Sequence, residues 1–144
     1  MLSEDSNDTR ITDLADEQDV EELVRCFYGH IAQDDLLGPL FEDVAKVDWV
    51  EHIPKLTQFW CRALFGTEGY VGNPFREHSV VHQKSRFTAD HFHRWLELFH
   101  ETVRLHWIGP NATRALQLAR DVARVHSGQL LGRPIDVSPF ERRP

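Results

Sequence analysis

The chain is short of cysteine, of positive charge and of long apolar runs, and each shortage removes a class of protein. Only 2 of its 144 residues are cysteine. Cys26 and Cys61 form no CxxC pair and each falls inside a helical pattern, which argues against a disulfide framework and for reduced, packed thiols. Lys and Arg total 16 against 23 Asp and Glu, a formal net charge of −7. A nucleic-acid binder carries a basic excess and a basic stripe, and this chain has neither. No apolar run approaches the ~20 residues that span a bilayer, so a membrane partner is not expected. The opening MLSEDSNDTR is acidic and polar, the reverse of a signal peptide, and the expected location is the cytoplasm. Apolar-polar alternation, the mark of strands, is also missing at useful length.

Helical periodicity is what the chain does have. Its length suits one domain with one core. The first 10 residues read as a disordered acidic leader, residues 11–132 as the folded domain and 133–144 as a flexible tail. A first helix is expected from about Asp16, where Asp19 supplies a box-like acidic first turn. Its apolar face is Val20, Leu23, Val24, Phe27, Tyr28 and Ile31. Asp34 and Asp35 end it, and Gly38-Pro39 breaks the following LLGPLF. A second helix, from about Val47 to Phe65, carries Trp49, Ile53, Leu56, Phe59, Trp60, Ala63 and Leu64 on one stripe, with Gly66 as its stop. Pro54 falls within it and bends the axis unless it lies near the start.

The third helix presents Phe92, Trp95, Leu96, Phe99, Val103 and His106, and Gly109-Pro110 ends it. Asn111 is expected to cap a fourth helix with the stripe Ala115, Leu118, Ala119, Val122, Val125 and Leu130, halted by Gly132 and Pro134. Between residues 66 and 86, Gly66, Gly69, Gly72 and Pro74 dissolve the pattern. An irregular stretch of ~20 residues inside a compact domain is usually functional. The fold class is all-α, with four main helices.

Three inward-facing residues pair an apolar body with one hydrogen-bonding tip: Tyr28 on the first stripe, His52 on the second and Trp95 on the third. His52 lies one turn from both Trp49 and Leu56, so it points with them. An imidazole turned toward a core requires partners, a charge shift or something to bind. The plain alternative for each of the three is a neighbouring carbonyl and ordinary packing. Together they are able to cap one buried cavity. His78 and His82, in the irregular segment, share the i, i+4 spacing of zinc ligands, yet no HExxH motif or cysteine pair accompanies them. A haem pocket asks for the same ingredients: an imidazole on one side of the iron, and on the other apolar walls with buried donors aimed at a diatomic that takes on negative charge.

The residues resemble a known family, the group III truncated haemoglobins. The matching strings are Phe27-Tyr28, DLLGPLF at 35–41, W-x-x-H from Trp49 to His52, Phe59-Trp60, Y-x-G-x-P-x-x-x-H from Tyr70 to His78, and HFxRWLxLF at 91–99. They occur in the family's order over roughly residues 17–130. The resemblance implies a shortened globin, a two-over-two helical sandwich around haem b, occupying 11–132. It implies His78 as the proximal iron ligand of a pentacoordinate-type haem, with His82 as the alternative. Tyr28, His52 and Trp95 become the distal ligand-binding residues, and Phe27, Leu56 and Trp60 the cavity wall. The expected ligands are O2, NO, CO and cyanide.

An NO dioxygenase or peroxidase-like activity is the enzymatic alternative. The chain shows no GxGxxG for a nicotinamide or flavin, so either activity requires a separate reductase. A monomer or weak homodimer is expected. The alternative of another class is a non-haem helical protein, built on zinc at His78 and His82 or serving as an interaction bundle.

Overall fold

The computed structural model describes residues 11–41, 49–66 and 87–141. The acidic leader, Tyr70, His78, His82 and the end of the tail lie outside the described residues. Within them are four α-helices: α1 (Glu17–Gln33), α2 (Trp49–Phe65), α3 (Ala89–His106) and α4 (Pro110–Leu131), then a 3-10 turn at Ser138–Phe140. Among the described residues no strand forms, and the one isolated bridge joins Thr12 to Trp107. The pair α1/α2 packs on the pair α3/α4 through contacts of α1 with α3 and of α2 with α4. The all-α, two-over-two expectation holds.

Local chemistry explains the boundaries. Asp16 caps α1, its carboxylate accepting from Asp19 N at 3.0 Å, while Asp19 in turn accepts from Ala15 N at 2.9 Å. All six expected α1 face residues are buried. Gly38 lets the turn after α1 fold back tightly, since a Cβ there would approach the Ala32 carbonyl oxygen to 2.8 Å. At the start of α3 a neutral His91 accepts from Thr88 N at 2.9 Å through Nδ1, and burial lowers the pKa of this imidazole. Pro54 falls in the second turn of α2, on its exposed side.

Expectations for α3 and α4 need correcting. Asn111 does not cap α4: Gly109 holds the cap position, and the capping carboxylate comes from Asp13, 98 residues away, which accepts from Asn111 N at 3.0 Å. Its other oxygen accepts from Ala112 N at 2.8 Å and from Leu14 N at 2.9 Å. Gly109 has φ of +143°, and a Cβ there would collide with the Asp13 carboxyl. The deep face of α4 is also different, a lane of small residues at Ala112, Ala115, Ala119, Ala123 and Ser127, with Val125 exposed. Small side chains let α4 lie close to its neighbours, which an apolar stripe alone does not reveal. Last, His106 is exposed at the end of α3, and the inward histidine of that helix is His100.

The stretch after Gly132, read as an open tail, runs back over α3 and α4 as far as Glu141. Ile135 and Val137 are buried, and Ser127 Oγ, itself fully buried, accepts from Ile135 N at 3.0 Å.

The Asp13 carboxylate meets two backbone N–H groups at the start of α4 and that of Leu14, so Asp13→Ala is expected to cost about 1–2 kcal/mol of stability. Urea denaturation measures this, and Asp13→Asn, which keeps one acceptor oxygen, is expected to restore part of the loss.

Candidate functional site

The site grows from one buried phenol. Tyr28 sits a turn before the end of α1 and is 6% exposed. Its ring touches Phe27 at 4.6 Å, Trp49 at 5.7 Å, Phe41 at 6.2 Å and His52 at 6.2 Å between centroids. Burial pushes the phenol above its ordinary pKa, and a hydrogen bond with the Trp95 side chain offsets part of that rise. An indole is a donor only, so Trp95 occupies a lone pair of the hydroxyl and leaves the Tyr28 proton to be donated elsewhere.

Trp95 is held by stacking. Its ring lies nearly parallel to Phe99, 5.8 Å away at 13°, and Phe99 stacks on Trp60 at 5.0 Å and 19°. Phe27 meets Trp95 and Phe99 edge-on, at 5.5 Å and 5.0 Å. These are the favoured offset and T-shaped geometries, each worth about 0.5–1.5 kcal/mol beyond the area buried. A salt bridge one residue away fixes the same helix against the end of α1: Arg94 Nε donates to Asp34 Oδ1 at 2.7 Å. Burial acts to raise the Asp34 pKa, but N–H donors from Leu37 and Leu36 and the Arg94 guanidinium hold the carboxyl below its usual range.

Helix α2 supplies the facing wall, and here its expected stripe splits in two. Ile53, Thr57, Trp60, Cys61 and Leu64 are buried. Trp49, His52, Leu56 and Phe59 lie on the adjoining face and are half-buried. His52 is therefore beside the core rather than in it, in edge contact with Trp49 at 5.8 Å. Trp49 and Phe41 stack on one another at 6.1 Å, so that Phe27, Phe41 and Trp49 all border Tyr28.

The structure thus brings Tyr28, His52, Trp95 and Phe27 together, and Leu56 packs against the core. Trp60 is deeper, 2% exposed, behind Phe99. His78 falls outside the described residues. Phe41, Trp49 and Phe99 are contributors that the sequence left without a role. Phe99 was visible as a stripe residue, and Trp49 marked the motif of His52, but nothing local says that either ring braces Tyr28 or Trp95.

Comparison with known proteins now bears on this geometry. Residues 13–124 match the model of the bacterial-like globin family. The chain belongs to that family. It is similar to the group 3 truncated hemoglobin ctb of Campylobacter jejuni, 28% identical over 110 residues that cover 74% of this chain and 84% of that protein. Its fold is similar to the crystal structure of the group III truncated hemoglobin from Campylobacter jejuni, with a TM-score of 0.74 and 27% identity over 84% of this chain and 95% of that one. A globin binds small ligands at a haem, so the family implies that cofactor here. The described residues suit it. A flat apolar macrocycle needs apolar and aromatic side chains packed on the core yet incompletely covered, and Trp49, Leu56, Phe59, Phe92 and Trp95 are of this kind. Next to them stands a buried hydroxyl with a proton to give.

The state of that hydroxyl is measurable. Tyr28→Phe is expected to leave the near-ultraviolet phenolate absorbance unchanged up to about pH 11, because Tyr28 does not ionise in this range. Trp95→Phe removes the one contact that lowers the Tyr28 pKa and is expected to raise it further. Loss of a phenolate signal in Tyr28→Phe would show that the phenol is not buried as described.

Proposed function

We propose that the chain holds haem b and binds O2 and other small diatomic ligands, NO, CO or cyanide, in the cytoplasm. The observation that carries this reading is the buried Tyr28 phenol, fixed by Trp95 and ringed by aromatics. When bound, haem supplies the iron at which such ligands are held. The side chains supply the rest. His78 is assigned as the proximal ligand, on its place in the Tyr70 to His78 motif. Tyr28 donates its proton to a ligand that carries partial negative charge, in a site where few waters compete for that bond. Trp95 fixes the hydroxyl by occupying a lone pair, so that its proton is directed away from the indole. His52, on the half-buried face of α2, lies against both Tyr28 and Trp49 and adds a second polar tip. Phe27, Leu56 and Trp60 contribute apolar wall, Trp60 from behind Phe99.

Strong distal donation slows ligand release, which favours ligand capture over simple transport. Turnover on NO or peroxide would draw electrons from a separate reductase.

The purified protein is expected to show a Soret band, directly or after haem is added, that shifts with CO and cyanide. His78→Ala is expected to abolish haem retention and His82→Ala to preserve it. Tyr28→Phe is expected to raise the O2 dissociation rate at least about tenfold, the equivalent of one charge-assisted hydrogen bond. Absence of any Soret band with added haem defeats the haem reading. An unchanged off-rate in Tyr28→Phe defeats only the donor role.

A further inference from the structure

The segment that follows α4 is not used by the site above, and two histidines hold it. Its turn, Ser138–Phe140, packs on α3. The Phe140 ring lies between His93, stacked at 6.2 Å and 22°, and His100, in edge contact at 5.3 Å and 62°. Arg120 of α4 donates from Nη1 to the Phe140 carbonyl at 3.1 Å, and His93 Nε2 donates to the Asp136 carbonyl at 3.3 Å. Ile135 and Val137 anchor the same strap in the core.

The two histidines meet the strap differently. His93 donates to a strap carbonyl, so its Nε2 has a partner. His100 is 5% exposed, and among the described buried side chains its Nε2 is an atom with no hydrogen-bond partner. A charged His100 would put an unmet N–H against the Phe140 ring edge and the core. The ionic groups acting on it are Arg104 from its own helix and Arg120 from α4, both cationic. From the strap come Asp136, whose carboxylate turns to Ser138 N at 3.0 Å, and the exposed Glu141. Glu101, next to His100 on α3, is also exposed, so among the described residues no carboxylate is buried beside the ring.

We propose that His100 is a proton-operated latch: neutral, it seats Phe140 and the 135–141 strap on α3 and α4; protonated, it releases them. The device is independent of haem binding, although His93 and His100 flank Trp95 on one helix, so release loosens the outer side of the helix that braces Tyr28. Burial and the two arginines lower the His100 pKa to about 4 when the strap is docked. When the strap is released, water reaches the imidazole and its pKa rises toward the ordinary value of about 6.5, so the released form binds the proton more tightly and gains population as pH falls.

Hydrogen–deuterium exchange of the full-length protein, corrected for the intrinsic pH dependence of exchange, tests the latch. From about pH 7 to about pH 5 the amides of Ile135, Phe140 and Glu141 are expected to open several-fold more often, up to about twentyfold, while those of Val20–Ile31 in α1 stay constant. His100→Gln and His100→Leu are each expected to remove the acid step and His93→Gln to retain it. A wild-type strap with no step, or the same step in both His100 variants, overturns the proposal. If neither His100 variant folds, imidazole NMR of the wild type decides. A His100 resonance that titrates well below the ordinary range, together with strap opening, supports the latch, and an ordinary titration without opening refutes it.

Discussion

The architecture turns on the ring of Phe99. It stacks on two indoles, Trp60 from α2 and Trp95 from its own helix, while receiving the edge of Phe27 from α1. Three helices are thereby registered on one fully buried phenyl group. Aromatic rings tolerate little sliding, because offset and edge-on geometries are favoured over others and cores are close-packed. The indole of Trp95 is oriented by this stack before it meets anything polar. That orientation delivers its N–H to Tyr28. The candidate site is therefore a consequence of core packing: move Phe99 and the hydrogen bond that disposes the Tyr28 proton is lost.

Buried polarity follows the same economy throughout the chain. Asp34, Asp13 and Ser127 are each drawn inward and each is met by backbone N–H groups, with a guanidinium added at Asp34. Each of the three ties a sequence-distant segment into place. Asp13 fixes the segment before α1 to the start of α4, Asp34 fixes the end of α1 to α3, and Ser127 fixes the strap to α4. Against this background His100 Nε2 stands out among the described residues as unmet. Beside carboxylates and a hydroxyl that are each satisfied, an imidazole that is tolerated only when neutral becomes sensitive to pH.

Much of this was readable without coordinates. Tyr28 and Trp95 were chosen because each pairs an apolar body with one polar tip on a helical stripe, and the structure joins them. The helix stops at Gly66 and Gly132 and the acidic first turn of α1 were legible because caps are local chemistry, written within four or five residues. The same periodicity singled out His52 and passed over His100, although His100 follows Leu96 by four and precedes Val103 by three. Periodicity assigns a residue to a helix face; it does not say how far round that face the neighbouring helices reach. On α2 they cover the 53/57/60/64 lane more deeply than the lane of Trp49 and His52, and on α3 they cover His100.

The sequence by itself determined the all-α class, the order and approximate ends of the helices, and the residue types gathered around Tyr28. These depend on backbone hydrogen bonding and side-chain spacing within a turn or two. Only the tertiary structure decided which side of each stripe is deep, that Asp13 caps a helix 98 residues later, and that the chain after Gly132 returns to lie between two histidines. Those features rest on crossing angles and long-range contacts. Their loop-closure entropy is offset by burial across the whole domain, so no local window of sequence contains them.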